Sequence, residues 1–459
     1  DAVNALGRAV ELDGEPAGGR QLLAEAVFES GDTARAAKIA GELLLHLQSQ
    51  GGGTEAQLLA AHTVRANAAA RAYATAKSEQ RDDPELLNTA RTSFRLLQDR
   101  DSLTPELRQL WSVTEQWAGA PAEAVNVYLR ALQKSPDDQA LLGAAVDTAA
   151  AQKQLPLAVE ALATRRDATG LWYLGRARYL LATAERLAGR PDQAQQLLDE
   201  ASKAFATSMR ENADYRDSCE QWLAMCLGQK GTIAYHTDDD KNAEAWLLES
   251  IRQRPDRIGE DLGNGETTKR SLLFLIDRFL KRRDLAKVEA ISRAAAAAAD
   301  GDVDLLNNAG LFARDHGNAL ERAGKREQAQ EMYEQSYKAY RRAVQLDPQN
   351  VRLRNDCALI AIHHLDRDWD VSRQLLDAAI ADGEQRLRDD PPSDRDLREQ
   401  LDEAVGDCYE NLALWHLKHG KDGAAAKAAA QASIRHFPGE QRPGARRHLQ
   451  DAERLLRGK

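Results

Sequence analysis

The chain has 459 residues, 29% of them charged with both signs interleaved, and a formal net charge of -10. That balance argues against nucleic acid as a default partner, because phosphate binding needs clustered Lys and Arg. Aromatic residues make up only 5% and strand-favouring runs of Val, Ile, Tyr and Thr are almost absent. The composition therefore predicts an all-α protein, too long for one ordinary core but of ordinary length for an array of repeats.

In chain order, each repeat is anchored on a small residue early in its second helix, where two helices cross so closely that only Ala, Gly or Ser fits. Ala36, after the turn Ser30-Gly31-Asp32, anchors the first. The next anchor, Ala124, lies 88 residues on, which leaves room for one degenerate hairpin with helices Thr54–Gln80 and Pro84–Gln98. Ala158, Ala194, Ala243, Ala286, Ala329, Val371 and Ala426 continue the series. The turns Gly119-Ala-Pro121, Gly189-Arg-Pro191-Asp192, Gly324-Lys-Arg and Gly420-Lys-Asp place Gly after one helix and a polar or Pro start before the next. Closing prolines recur at Pro136, Pro255, Pro348 and Pro438.

Ala124 and Ala158 are 34 residues apart, whereas later intervals run from 36 to 55. Pro136 and Pro255 each follow their anchor by 12 residues, but Pro348 follows Ala329 by 19. The seven extra residues predict a second helix that overhangs its neighbours by ~10 Å. Loops are expected at Ser49–Gly53, Gly259–Thr267 and Asp389–Asp394, and the run Ala294–Ala299 reads as the thin end of a helix. The expected division is an N-terminal hairpin over 1–50, a regular array over 54–255, longer irregular hairpins over 268–438 and a polar capping helix over 440–459.

The 34-residue period, the spacings Ala124…Tyr128 and Ala158…Leu162, and the late Pro136 resemble the tetratricopeptide repeat (TPR) family. The match is clearest over Pro105–Gly170 and weaker over Leu174–Pro255, Leu305–Pro348 and Asn411–Pro438. Gly231 and Pro255 keep their consensus places and Trp111 takes the Leu place, while the Trp-Leu-Gly-Tyr half of the consensus is poorly kept. The resemblance implies an α-solenoid of about nine or ten helical hairpins wound into a superhelix. It implies a scaffold or adaptor that holds a peptide or partner helix in its concave groove, not an enzyme, and it is compatible with a homo-oligomer. The alternative is the regulatory or substrate-recruiting part of a larger protein whose catalytic domain lies outside this chain, an idea prompted by the start at Asp1 rather than Met.

Repeat phase places Gln109, Val113, Gln116, Arg314, Asn318, Arg352 and Asn355 toward the groove. Tyr333, Tyr337 and Tyr340 form a stripe at i, i+4, i+7 on the long helix. It reads either as packing against the adjacent helix or as an aromatic ridge for a partner. A carboxylate clamp of the kind some TPR co-chaperones carry is not reproduced. Arg314 and Asn318 fit it, but Asp356 and Cys408 stand where Asn and Lys are required.

No cofactor, metal or catalytic group is expected. His416/His419 and His363/His364 lack HExxH-type pairing and read as helix-end histidines near terminal carbonyls. Asp238, Asp239 and Asp240 read as a helix cap, and Gly259–Gly265 as a mobile loop rather than a phosphate cradle. Cys219, Cys226, Cys357 and Cys408 form no CxxC pair and are expected buried and reduced. The longest apolar run, Ser271–Ile276 with its flanks, is broken by Asp277 and Arg278, so direct membrane insertion is not expected. With no signal peptide, a soluble and preferably cytoplasmic setting is expected.

Overall fold

The computed structural model describes residues 2–12, 17–49, 53–436 and 442–458. The described residues form an α-solenoid. A first helix, α1 (Ala2–Leu12), precedes a series of hairpins and α22 (Pro443–Leu456) closes it. The hairpins are α2 (Ala17–Glu29) with α3 (Thr33–Ser49), α4 (Glu55–Ser78) with α5 (Pro84–Asp99), and α6 (Pro105–Trp117) with α7 (Pro121–Lys134). They continue with α8 (Gln139–Ala151) and α9 (Leu155–Leu162), α10 (Ala168–Leu187) and α11 (Pro191–Glu211), and α12 (Arg216–His236) and α13 (Asp240–Gln253). The last four are α14 (Thr268–Lys281) with α15 (Leu285–Ala298), α16 (Val303–Arg322) with α17 (Arg326–Leu346), α18 (Val351–Ile360) with α19 (Trp369–Asp389), and α20 (Arg395–Trp415) with α21 (Gly423–His436). Two compact units, Asp1–Cys226 and Leu227–Lys459, meet within α12. The expected division between the 54–255 and 268–438 segments instead followed a loop.

Helix starts follow from local chemistry. Asp83, Thr104, Asp138, Asp167, Thr267, Asp302, Asn350 and Asp394 each accept a hydrogen bond from a backbone N–H of the first turn. Asp239 does the same for α13, as read from the Asp238–Asp240 run. The degenerate hairpin expected between the first two anchors is present as α4 and α5. The loop expected at Ser49–Gly53 and the closing Pro438 fall mostly or wholly outside the described residues.

The anchor sits at one fixed place, the fourth residue after the cap of the second helix. Ala36, Ala124, Ala158, Ala194, Ala243, Ala329 and Ala426 occupy it and are all buried. Two expected anchors are misplaced. Ala286 is exposed and Val371 is 45% exposed, while the buried residues in phase are Val288 and Ser372. The caps Asp284 and Asp368 set the phase, and small size alone chose the wrong neighbour.

The first unit is organised around flat aromatic contacts between successive hairpins. Phe94 of α5 stacks on Trp111 of α6 with ring centres 5.5 Å apart, and Trp111 donates to the buried Glu115 carboxylate at 3.0 Å. Arg91 closes that carboxylate from α5, Nε to Oε1 at 2.9 Å. Phe205 packs across Gly175 and stacks on Trp222. Most of the tryptophans serve such packing, although Trp117 is exposed.

In the second unit the long helix α17 has 21 residues against 14 in α13, the seven extra that the sequence predicts. It does not overhang. Its partner α16 has lengthened to 20 residues against 14 in α14, so the two extra turns are covered within the hairpin. This also decides the tyrosine stripe. Tyr333, Tyr337 and Tyr340 are buried, which corrects their assignment as a partner-facing ridge. Tyr333 lies over Gly317 and Tyr340 over Gly310, one heptad apart on each helix. Ser336 donates to Gly310 O at 2.7 Å between them. The glycines are needed because a Cβ at Gly317 would fall 2.7 Å from the Tyr333 ring and one at Gly310 would fall 2.8 Å from Tyr340. Gly310→Ala and Gly317→Ala are each expected to lower stability in denaturant unfolding by about 1–3 kcal/mol through overpacking. Gly301→Ala, whose Cβ would point into open space, should be near neutral. Equal effects at all three sites would contradict this packing account.

Candidate functional site: a polar cavity between α16, α18 and α20

Three successive first helices of the second unit surround a cavity of about 370 Å³. The wall from α16 is Asn307, Leu311 and Arg314, at i, i+4 and i+7. Arg352, Asn355, Asp356 and Leu359 come from α18, and Asp407, Glu410 and Asn411 from α20, with Tyr340 of α17 and His363 completing the wall. His363 projects from a π-helical turn, Ala361–Leu365, that ends α18 at a left-handed Asp366. A second π turn, His416–Gly420, ends α20 in the same way at Lys421. Such turns widen a helix end and are frequent at functional sites.

Most of the charge around the cavity is already paired. Asp407 accepts from the buried Arg442 at 2.7 Å. Glu410 lies 3.9 Å from the same guanidinium and also accepts from the Ala445 N–H in the first turn of α22. Gly444 makes room for it, since a Cβ there would fall inside contact distance of Glu410 Oε1. Arg352 reaches Glu403 at 3.3 Å and Arg314 reaches Asp315 at 3.1 Å.

Asp356 stands apart. It accepts one hydrogen bond, from Asn355 Nδ2 at 3.3 Å, and no cation lies within ion-pair distance of it among the described residues. That bond ends a chain running across the cavity wall. His363 Nε2 lies 3.1 Å from Asn411 Oδ1, Asn411 Nδ2 donates to Asn355 Oδ1 at 2.9 Å, and Asn355 donates on to Asp356. Burial pushes the His363 imidazole down to about 4, so near neutrality it is uncharged, and a donor at Nε2 suits Asn411 Oδ1. The run of donors thus points toward Asp356. Beside it, the Tyr340 hydroxyl is fully buried and has no well-formed hydrogen bond. Burial, then the nearby Asp356 charge, pushes that phenol far up.

The same burial raises the carboxyls. Asp356 is pushed up by desolvation and pulled back by Arg314 and Arg352. Asp407 and Glu410 are likewise raised by burial, with Arg442 opposing in each case. For Arg314, burial works against the charge, but Tyr340, Asp315 and Asp356 hold the guanidinium above its ordinary value.

Of the residues that repeat phase places toward the groove, Arg314, Arg352 and Asn355 meet in this cavity, and Tyr340 joins them from below. Asn318 does not: its Oδ1 accepts from the Tyr333 hydroxyl at 2.9 Å inside the hairpin. Gln109, Val113 and Gln116 lie on α6 in the first unit, the first exposed and the others half-buried. The sequence reading missed Asn307, Asp356, Asp407, Glu410 and Asn411 as members of a site. Their signal was available in the heptad-like steps from 307 to 314 and from 352 to 363, but the π turn displaces His363 from a plain helical count.

The histidines do not sit on terminal carbonyls as expected. His419 stacks on Trp369 at 5.0 Å, His364 stacks on Tyr333 at 3.9 Å, and His416 Nε2 meets Arg373 at 3.2 Å. Among the described residues no group of His, Cys, Asp and Glu could hold a metal ion. The four cysteines are buried and form no disulfide. The loop at Gly259–Gly265 is not mobile in its contacts: Asp261 Oδ1 accepts from Gly263 and Gly265 N–H, and Leu262 is buried. No described helix is long and apolar enough to cross a membrane.

Stability should respond to pH through Asp356. A carboxyl raised in the folded state binds more protons folded than unfolded between its two pKa values, so stability falls as pH rises through that window. Asp356→Asn is therefore expected to raise the thermal midpoint by a few degrees at about pH 7, with the gain shrinking as pH falls toward the ordinary carboxylate range. A gap between wild type and variant that stays constant over this range would contradict the assignment.

No family model matches the chain, and no curated protein does. Solved structures do align over most of its length. Human IFIT1, as a monomeric mutant with Gppp-AAAA, shares 13% identity over 96% of this chain and 90% of its own, with a TM-score of 0.23. Naa15/Naa10 bound to HypK shares 14% identity over 99% of this chain and 77% of its own, with a TM-score of 0.28. Yeast Tom70 shares 14% identity over 85% and 96%, with a TM-score of 0.20. In its helical hairpins, and in the small residue four places past the cap of most second helices, the chain resembles the tetratricopeptide repeat proteins.

Proposed function

We propose that this protein is an interaction scaffold that takes a peptide segment of a protein partner across α16, α18 and α20, with the polar cavity between them as the point of specificity. The observation that carries this is the convergence of polar side chains from three consecutive first helices on one cavity, in a fold with few other reasons to bring them together. Binding rather than chemistry is the role. His363, held neutral by burial, and Tyr340, held protonated, act as fixed hydrogen-bonding groups, not as groups that exchange protons near neutral pH.

The test is selection of a random-peptide display library on the full chain. Enriched peptides should change in affinity by at least about tenfold, roughly 1.4 kcal/mol, on the Arg314→Ala/Arg352→Ala double variant. Far-ultraviolet circular dichroism should be unchanged, since the ion pairs of both arginines are with partly exposed carboxylates. Unaltered affinity for the double variant would move the site elsewhere. Failure to enrich any peptide would count against the scaffold reading itself.

A further inference from the structure

We infer that the cavity holds a basic side chain, a lysine ammonium or an arginine guanidinium, presented by the partner segment, with Asp356 as its counter-ion. This rests on the peptide-scaffold reading and adds the chemical identity of the anchor.

The argument begins with what remains unpaired. Asp407, Glu410, Arg352 and Arg314 each have a committed partner or helix end in the structure. Asp356 has only a neutral amide at 3.3 Å. The buried acid of the first unit shows what a structural carboxylate looks like in this protein: Glu115 accepts from both the Arg91 guanidinium and the Trp111 indole. Asp356 is half-buried and has no cation within ion-pair distance, with Arg314 and Arg352 acting on it only from farther off, and a desolvated charge without a close partner is costly.

The second observation concerns the floor of the cavity. Tyr340 is fully buried and lines the cavity, yet its hydroxyl has no well-formed partner. Leaving a buried hydroxyl unsatisfied costs about 1–3 kcal/mol, and a ligand donor seated beside Asp356 would satisfy it. An ammonium or guanidinium carries several such donors and no acceptor. Leu311 and Leu359 on the opposing walls suit the aliphatic stem of either side chain. The chain of donors from His363 through Asn411 and Asn355 ends on Asp356, which favours its ionised form and fixes its orientation. An anionic anchor fits poorly. It would have to draw Arg314 and Arg352 away from Asp315 and Glu403 while facing three carboxyls. A metal ion lacks its ligand set among the described residues.

The experiment uses the peptides enriched on the full chain. They should share one Lys or Arg whose replacement by Gln or norleucine lowers affinity by about tenfold or more. Asp356→Asn should remove that preference, so that the Lys/Arg and Gln forms bind alike, because the double-mutant coupling is lost. Tyr340→Phe should weaken the basic peptide as well, with little change in the thermal midpoint of the free protein, since the hydroxyl has no well-formed hydrogen bond to lose. That variant keeps the test meaningful should Asp356→Asn perturb folding. Enriched peptides with an acidic or apolar anchor, or a basic preference that survives Asp356→Asn, would overturn the inference while leaving the scaffold reading intact. An empty selection would fail the scaffold reading and the inference together.

Discussion

The constraint on which the structure depends is the close crossing within each hairpin, fixed four residues past the cap of the second helix. The cap residue, or a Pro in the first turn, sets where the helix begins. The backbone phase then carries one position toward the first helix, and that position must be small or well fitted. Ala36, Ala124, Ala158, Ala194, Ala243, Ala329 and Ala426 meet the requirement by size, and Ser372 and Val288 meet it by fit. Because the helices touch so closely there, the remaining faces of each hairpin are left for neighbours. The array thus grows by nearest-neighbour contact, with helix length free to vary from one hairpin to the next.

That freedom explains the α16/α17 hairpin. Lengthening α17 alone would expose two turns of tyrosine. Lengthening α16 with it, and placing Gly310 and Gly317 under the rings, converts the same residues into the best-packed interface of the second unit. Burial of Tyr340 then brings its hydroxyl up under the cavity floor. The site therefore arises from the packing device: a residue placed to fill a hairpin also delivers a polar atom to the surface between three hairpins.

Much of this was legible in the residues. Turn Gly and Pro, cap residues and alanine spacing located the helices closely, as α4 and α5 show against the expected Thr54–Gln80 and Pro84–Gln98. The seven-residue excess in α17 was also readable. Its consequence was not, because whether a long helix overhangs depends on its partner's length, and α16 lengthened with it. Arg314, Arg352 and Asn355, which repeat phase sets toward the groove, line one cavity. Asn318 was lost to Tyr333, a competition that only three-dimensional contact decides. His363 and Asn411 were missed because a π turn shifts the phase by part of a turn, and because a polar chain across two helices has no signature in either alone.

The cavity also runs against the economy of the rest of the protein. Elsewhere a buried acid such as Glu115 is closed by a guanidinium and an indole, and buried hydroxyls such as Ser336 find a carbonyl. A side chain that merely filled space at position 356 would remove a desolvated carboxyl and leave Tyr340 free to be replaced by Phe. Folding alone gives no reason to keep both polar atoms unsatisfied, one beside the other, at the meeting point of three helices. An acid without an ion pair and a buried hydroxyl, side by side where three helices meet, are what a site shaped by something it binds would keep.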